Sequence, residues 1–413
     1  MSFDPHTLGR RLREARENCG LSQQVVADAI DIPRTAVTQL EAGNRAVSTL
    51  ELAQLAQLYK RPVADFFDEQ PLDENDLLVA LHRLAPGLNS HSDIKEQVER
   101  CLSLCREGCS LERLLGRSSR SGPPAYTLSA PRTAGEAVRQ GEQVAFQERK
   151  RLGLGYTPIA DMGELISDQG IWSAGVNLPD EMSGLFLRHT SIGMAILVNF
   201  SHVRGRKRFS YAHEYGHALL DRDRTATIST RDNSSEMVEK RANAFAAALL
   251  MPSEGVTEFL RSLDKGLPSR YEHAIFDVAT EGRIDTQIRP IPGSQAITYQ
   301  DVALLSHHFV VSYQATVYRL RSLNIVSQAE CAKLLEREAE GKAFLDFLRM
   351  LEDLEEPESK ERQERELKSQ IVHLAIEAYR REAISRGKLL DLSKKLALSG
   401  RKLIELAEAV KED

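Results

Sequence analysis

Arg208 to Leu220 reads RFSYAHEYGHALL, and the organisation of the chain can be worked out from this stretch. Phe209, Ala212, Ala218, Leu219 and Leu220 recur at helical spacing, which predicts an amphipathic helix. On that helix His213 and His217 lie four residues apart and share one face. Two imidazoles so placed can reach a single ion, and Glu214 beside them can take a proton from a water held there. The HExxH spacing is itself the mechanism, provided that a third ligand exists.

Two carboxylates compete for that place. Asp223 follows His217 by six residues, as in zinc enzymes with an HExxHxxGxxD pattern, but Leu220 stands where those use glycine to turn the chain. Glu239 opens a second helical stretch, EKRANAFAAALLMP, with Ala242 and Ala246 following on the same face. Small residues there would let this helix approach the first closely and deliver the carboxylate, which favours Glu239.

Around these two helices, residues 133–327 mix helical patterns with strand patterns. The clearest strand pair is Leu185–Arg188 with Met194–Asn199, around Ser191-Ile192-Gly193. Ahead of them Arg117 to Arg132 reads RSSRSGPPAYTLSAPR, whose Ser, Pro and Gly content reads as a linker closing a helical connector over 71–132. Residues 328–413 are helical in pattern, with a charged run, LEEPESKERQERELKS, broken by Pro357.

Residues 1–70 read differently. From Leu8 to Phe67 the apolar spacing predicts five short helices, separated by Gly20, by the Asp31-Ile32-Pro33 turn and by Gly43-Asn44. Ser22 is placed to cap the second, with Val25, Val26 and Ala29 as its apolar positions. The third would carry Arg34, Thr35, Thr38 and Gln39 outward and Ala36, Val37 and Leu40 inward. Arg and Gln can read guanine and adenine edges, and Thr adds a hydroxyl or methyl contact. Ser22, Gln23 and Gln24, at the start of the second helix, suit the brace on the DNA that a helix-turn-helix needs. LSQQVVADAIDIPRTAVTQLEAGNR followed by TLELAQLAQLY resembles the Xre and phage-repressor family of DNA-binding domains, which implies a double-stranded DNA operator as partner. Between Leu8 and Phe67 eight basic residues face seven acidic ones, so binding as a homodimer to paired half-sites is expected.

The larger part of the chain resembles the ImmA/IrrE family of zinc metallopeptidases over residues 134–327. The matching pieces are Arg208-Phe209 ahead of AHEYGH, then EKRANAFAAALLMP, the downstream DVALLSHHFVVSYQATVYRLRSLNIVS and the upstream RKRLGLGYTPIADMGELISDQGI. The resemblance implies a gluzincin-like endopeptidase in which His213, His217 and Glu239 bind Zn2+ and Glu214 is the general base. It also implies a protein substrate, a repressor with an Xre-type domain. The expected fold class is multidomain: an all-α helix-turn-helix domain, an α+β zincin-like metallopeptidase domain and an α-helical C-terminal region.

Composition sets the outer limits. At 413 residues, two or three domains are expected. With 42% hydrophobic and 28% charged residues the chain is neither disordered nor fibrous. Its longest apolar runs, Ala244 to Met251 and Gly193 to Val198, are far shorter than the roughly 18 residues that span a membrane. MSFDPHTLGRR lacks an apolar signal core and the five cysteines make no paired framework, so a cytoplasmic protein is expected. A net charge of −6 argues against a generic polyanion binder.

Weaker signals have plainer readings. Cys101, Cys105 and Cys109 fall on one helical stripe and are expected to pack rather than to sense. Arg204, Arg206, Lys207 and Arg208 read as a solvated loop. His189, His202, His307 and His308 could supply a transition-state donor, although each is more often structural. Two rival readings stand beside the peptidase: a transcription factor with a structural or sensing metal site, and one half of a toxin-antitoxin or phage-defence pair.

Overall fold

A computed structural model describes residues 5–18, 21–59, 63–66, 92–117, 122–189, 192–222, 226–230, 235–266, 271–277, 282–288, 290–351 and 365–409. By contact the chain divides into two units, Met1–Asn75 and Asp76–Asp413.

The first unit holds α1 (Pro5–Asn18), α2 (Gln23–Ala29), α3 (Arg34–Glu41), α4 (Thr49–Leu58) and a 3-10 turn at Val63–Phe66. Ser22 caps α2, its hydroxyl accepting from the Val25 amide at 3.3 Å, and a Ser48–Glu51 capping box starts α4. Leu12, Ala15, Val26, Val37, Leu52, Leu55 and Phe66 share the core. Two details differ from the sequence reading. The fifth helix is a single 3-10 turn, and α2 is rotated so that Val26, Ala27 and Ile30 face inward while Val25 stays 49% exposed. A seven-residue helix has too few turns for its apolar stripe to be unambiguous.

The second unit is built on a four-stranded sheet of β1 (Trp172–Val176), β2 (Met182–His189), β3 (Gly193–Asn199) and β4 (Ala226–Thr230), in the order β1-β3-β2-β4. β1 runs parallel to β3, and β2 runs antiparallel to β3 and to β4. The expected hairpin is present, with Leu185 opposite Leu197 and Phe186 opposite Ile196; Ser191 lies outside the described residues. Alternation along β2 and β3 sends Leu185, Leu187, Ala195 and Leu197 to one core and Phe186, Ile196 and Val198 to another.

The first core is closed by α5 (Ser92–Leu114), α15 (Arg365–Arg380), α16 (Arg386–Lys395) and α17 (Gly400–Ala409). The second core is closed by α6 (Ala134–Arg151), α7 (Met162–Asp168), α8 (Arg204–Leu220), α9 (Met237–Leu250) and α10 (Ser253–Ser262). It continues into α11 (Tyr299–Phe309), α12 (Tyr313–Ser322), α13 (Gln328–Glu336) and α14 (Glu338–Leu351). A hairpin of β5 (Tyr271–Asp277) and β6 (Gly282–Ile288) forms a separate two-stranded sheet.

The expected linker is a packed strap in its described part, 122–132. The Tyr126 amide donates to the Leu219 carbonyl at 3.0 Å, Gln140 donates to the Ser129 carbonyl at 3.1 Å, and the Arg222 guanidinium binds the carbonyls of Pro123 and Pro124. Prolines have no N–H to satisfy, so arginine and glutamine donors hold the segment through its carbonyls, with the Tyr126 amide adding a bond of its own. Helix α5, expected as part of a connector, buries Cys101, Leu102, Leu104, Cys105 and Leu111 in the sheet's core. The C-terminal helices likewise add to the two existing cores rather than standing apart. The charged run falls mostly within 352–364, outside the described residues. Among the described residues no helix is long and apolar enough to cross a membrane.

Candidate metal centre

Helix α8 is buried along almost its whole length, from Gly205 to Leu219. Of its basic start, Lys207 and Arg208 are buried, contrary to the solvated loop expected there, while Arg206 is half-buried and Arg204 exposed. Arg208 donates to the carbonyls of Ala160 at 2.9 Å and Ile159 at 2.5 Å, and Lys207 lies 4.5 Å from the centre of the Phe200 ring. Burial, helped by the like charge of Arg204 and only partly offset by the Asp161 carboxylate, pushes the Arg208 guanidinium down to about 10. These contacts tie Arg208 to the 159–160 loop and Lys207 to Phe200.

Helix α9 crosses α8 at Gly216, the glycine inside HEYGH. A Cβ there would stand 2.9 Å from the Phe245 ring and 3.6 Å from the Ala242 backbone, and Ala242 and Ala246 are fully buried. Small residues on both helices permit this approach, and it carries Glu239 to the histidines. His213 Nε2 lies 3.1 Å from Glu239 Oε2 and 3.1 Å from His217 Nε2, and His217 Nε2 lies 3.4 Å from Glu239 Oε1. Among the described residues this is the one group of three such donors within 4.8 Å of one another, and all three are buried. Tetrahedral ligands at about 2.0–2.1 Å from one zinc ion stand roughly 3.3–3.4 Å apart, so the separations suit one small cation. Asp223, the competing ligand, lies outside the described residues.

Each imidazole is oriented through its other nitrogen. His213 Nδ1 donates to Asn243 Oδ1 at 2.9 Å, and His217 Nδ1 donates to Asp221 Oδ2 at 2.9 Å. Both Nε2 atoms therefore face the shared centre, as a metal site requires. Asp221 is held in turn by Arg241 at 2.6 Å, and Arg241 reaches Gln140 at 3.2 Å. Asp221, Asn243 and Arg241 were not foreseen from the sequence. The signal was there: Asp221 follows His217 by four residues and Asn243 follows Glu239 by four, the same helical spacing that made the histidines visible.

The charges follow from this packing. Burial opposes a charge on His217, but the carboxylates of Asp221, Glu239 and Glu214 outweigh it and push the imidazole up to about 10. Burial would raise Glu239; its hydrogen bonds to His213 and His217 hold it at about 2 instead. Glu214 is fully buried, and neither of its carboxylate oxygens has a hydrogen-bond partner among the described residues. Desolvation pushes this carboxyl up, against the pull of the two histidines. A buried carboxylate with both oxygens unused, beside three converging donors, is equipped to accept a proton. Tyr215, between the histidines in sequence, points elsewhere: its hydroxyl donates to Glu148, which also binds Tyr126 and Arg151.

The other candidate histidines lie outside the His213–His217–Glu239 group. His308 stacks on Phe259 at 4.5 Å, His202 is buried after β3, and His189 ends β2 opposite Gly193. His307 is in the last turn of α11. In the first unit Ser22, Gln24, Arg34, Thr35, Thr38 and Gln39 are exposed. Gln23 is partly committed: its amide donates to Glu41 at 2.8 Å and its carbonyl accepts from Thr38 at 3.2 Å, while Glu41 also binds Arg16 at 2.6 Å. It ties α2 to α3.

The α+β scaffold and its buried His-His-Glu group define a metallopeptidase-type domain, preceded in this chain by a helix-turn-helix unit. Comparison with protein families gives the particulars. Residues 169–273 match the peptidase family described as the IrrE N-terminal-like domain, and residues 7–66 match a helix-turn-helix domain. The chain thus carries both domains in that order, the arrangement of a DNA-binding regulator with a protease-like domain. Comparison with curated proteins gives no significant match.

Proposed function

We propose that this protein is a cytoplasmic, DNA-binding regulator whose zinc-dependent, gluzincin-like endopeptidase domain cleaves a partner repressor with an Xre-type domain. The observation that carries this reading is the buried meeting of His213, His217 and Glu239 beside the unpartnered Glu214 carboxylate. The zinc ion, when bound, supplies a Lewis acid that acidifies a water and polarises the scissile carbonyl. Three protein ligands, rather than four, suit a catalytic site. Glu214 takes the proton from the water and passes it to the leaving amine, and Asp221 and Asn243 keep both imidazoles turned to the ion. The helix-turn-helix unit, as a homodimer, would place the regulator on its operator through Arg34, Thr35, Thr38 and Gln39 with Ser22 and Gln24 at the flank, and Gln23 holding α3 in place.

Glu214→Gln tests the reading, because it keeps the size and the ligands but removes the base. Zinc content should stay, and cleavage of the repressor should fall about a hundredfold or more. A Glu214→Gln strain that gives the wild-type transcriptional response, with the repressor intact in both, would leave a non-proteolytic metal-sensing transcription factor as the better account.

A further inference from the structure

We propose that Ser229, on the edge strand β4, is a positioning residue for the Glu214 carboxylate, donating to one of its oxygens and leaving the other free to accept from a water. The inference deepens the peptidase reading and rests on it.

Thr227 and Ser229 lie two residues apart on β4 and so project to the same face. Both are buried, and neither hydroxyl has a hydrogen-bond partner among the described residues. Across the strand pair Ser229 stands opposite Gly184 of β2. A Cβ on Gly184 would lie 3.0 Å from both Cγ and Oε1 of Glu214, so the carboxylate rests directly on the Gly184 backbone with Ser229 as its neighbour. The regular register from Leu187–Ala226 onward sets this pairing, and it ends in a register shift between Met182 and Gly184, an irregularity of the kind found next to functional sites.

A buried hydroxyl without a partner weakens a fold, so an orphan beside an orphan carboxylate calls for a use. The chemistry supplies one. A carboxylate with both oxygens free can turn, and only one orientation aims an oxygen at the water. A hydroxyl bonded to the other oxygen fixes that orientation. Ser229 keeps its own hydrogen throughout; the transferred proton moves from water to Glu214 and on to the amine.

The test uses the full chain carrying Ser229→Ala and Ser229→Thr, with three measurements: thermal stability and zinc content, repressor cleavage, and calorimetric binding of acetohydroxamate to the zinc-loaded protein. Acetohydroxamate chelates zinc and gives up a proton to a nearby base, so its affinity reads Glu214 without any peptide. Ser229→Ala should keep its zinc and melt within about 2 °C of wild type or higher. Its kcat and its acetohydroxamate affinity should each fall about tenfold, the worth of one hydrogen bond to a charged group, with KM little changed. Ser229→Thr, which keeps the hydroxyl, should restore both. Lower melting and weaker zinc binding with wild-type turnover per zinc would make Ser229 structural and overturn the proposal. Unchanged turnover with unchanged acetohydroxamate affinity would overturn it equally. If the wild-type protein cleaves no repressor, a tenfold loss of acetohydroxamate affinity would still support the hold of Ser229 on Glu214, while the peptidase reading fails.

Discussion

His217 is gripped at both ring nitrogens, by Asp221 on one side and by Glu239 and His213 on the other. Without a cation the surrounding carboxylates keep it protonated up to about 10, well above its ordinary 6.5. A raised value stabilises the metal-free fold most at pH below about 6.5, and this contribution is lost as pH climbs through about 10. A cation at Nε2 must displace that proton. Zinc affinity is therefore expected to rise about tenfold per pH unit across this window, with one proton released per ion. Calorimetry in buffers of different ionisation enthalpy counts that proton; an affinity flat from pH 7 to 9 would contradict the charge assignment. Asn243 offers a second test at this scale, since its oxygen alone turns His213 without belonging to a charge pair. Asn243→Ala should lower zinc affinity roughly ten- to a hundredfold, as second-contact losses do at other metal sites, with the metal-free protein melting near wild type.

At the scale of elements, the crossing of α8 and α9 brings Glu239 to the two histidines, and Gly216 lies in it against Phe245 and Ala242. Gly216→Val would drive a branched side chain into Phe245, costing about 1–3 kcal/mol as overpacking does, and would prise Glu239 from the histidines. Loss of zinc together with a lower melting temperature is the expected result, and retained zinc would show that another carboxylate serves as ligand. Helix α3 carries a different expectation. Arg34→Ala and Gln39→Ala should each cost about 1–3 kcal/mol on the specific operator and relax the preference at one base pair. Gln23→Ala should weaken all sequences alike, since it loosens the tie between α2 and α3. Fluorescence anisotropy on an operator and its single-base variants separates the two patterns.

These same elements show what the sequence could reveal. The α8 helix, Glu239 and the β2–β3 hairpin were legible because each is written in a local period, 3.6 residues or two. The strap at 122–132 was not, because proline and serine announce the absence of a helix and say nothing of packing. Its partners, Leu219 and Arg222, stand about ninety residues away in the chain, more than local patterning can reach. Lys207 and Arg208 misled for a related reason: charge suggests solvent, while the carbonyls of Ile159 and Ala160 that receive Arg208 belong to a distant loop. The edge-strand hydroxyl of Ser229 acquired meaning only once the register set it opposite Gly184.

For the whole molecule, the division after Asn75 gives each unit its own core: Leu12, Val26, Val37 and Leu55 in the smaller, and the two faces of the sheet in the larger. A ligand that binds one folded unit stabilises that unit by mass action, by about 2.7 kcal/mol at a hundred times its dissociation constant. Zinc should accordingly raise the melting transition of residues 76–413 by a few degrees, a chelator should reverse the shift, and the transition of residues 1–75 should not move. Operator DNA should do the converse. Scanning calorimetry of the full chain with zinc, with operator and with both then measures the coupling directly, because independent units give shifts that add. If operator DNA moves the zinc-sensitive transition, or zinc changes operator affinity, the two ligands are linked by a coupling free energy that must be equal in both directions. Additive shifts would mean that the domain reading DNA does not control the domain that hydrolyses, and that a signal must reach the metal site by acting on residues 76–413 themselves.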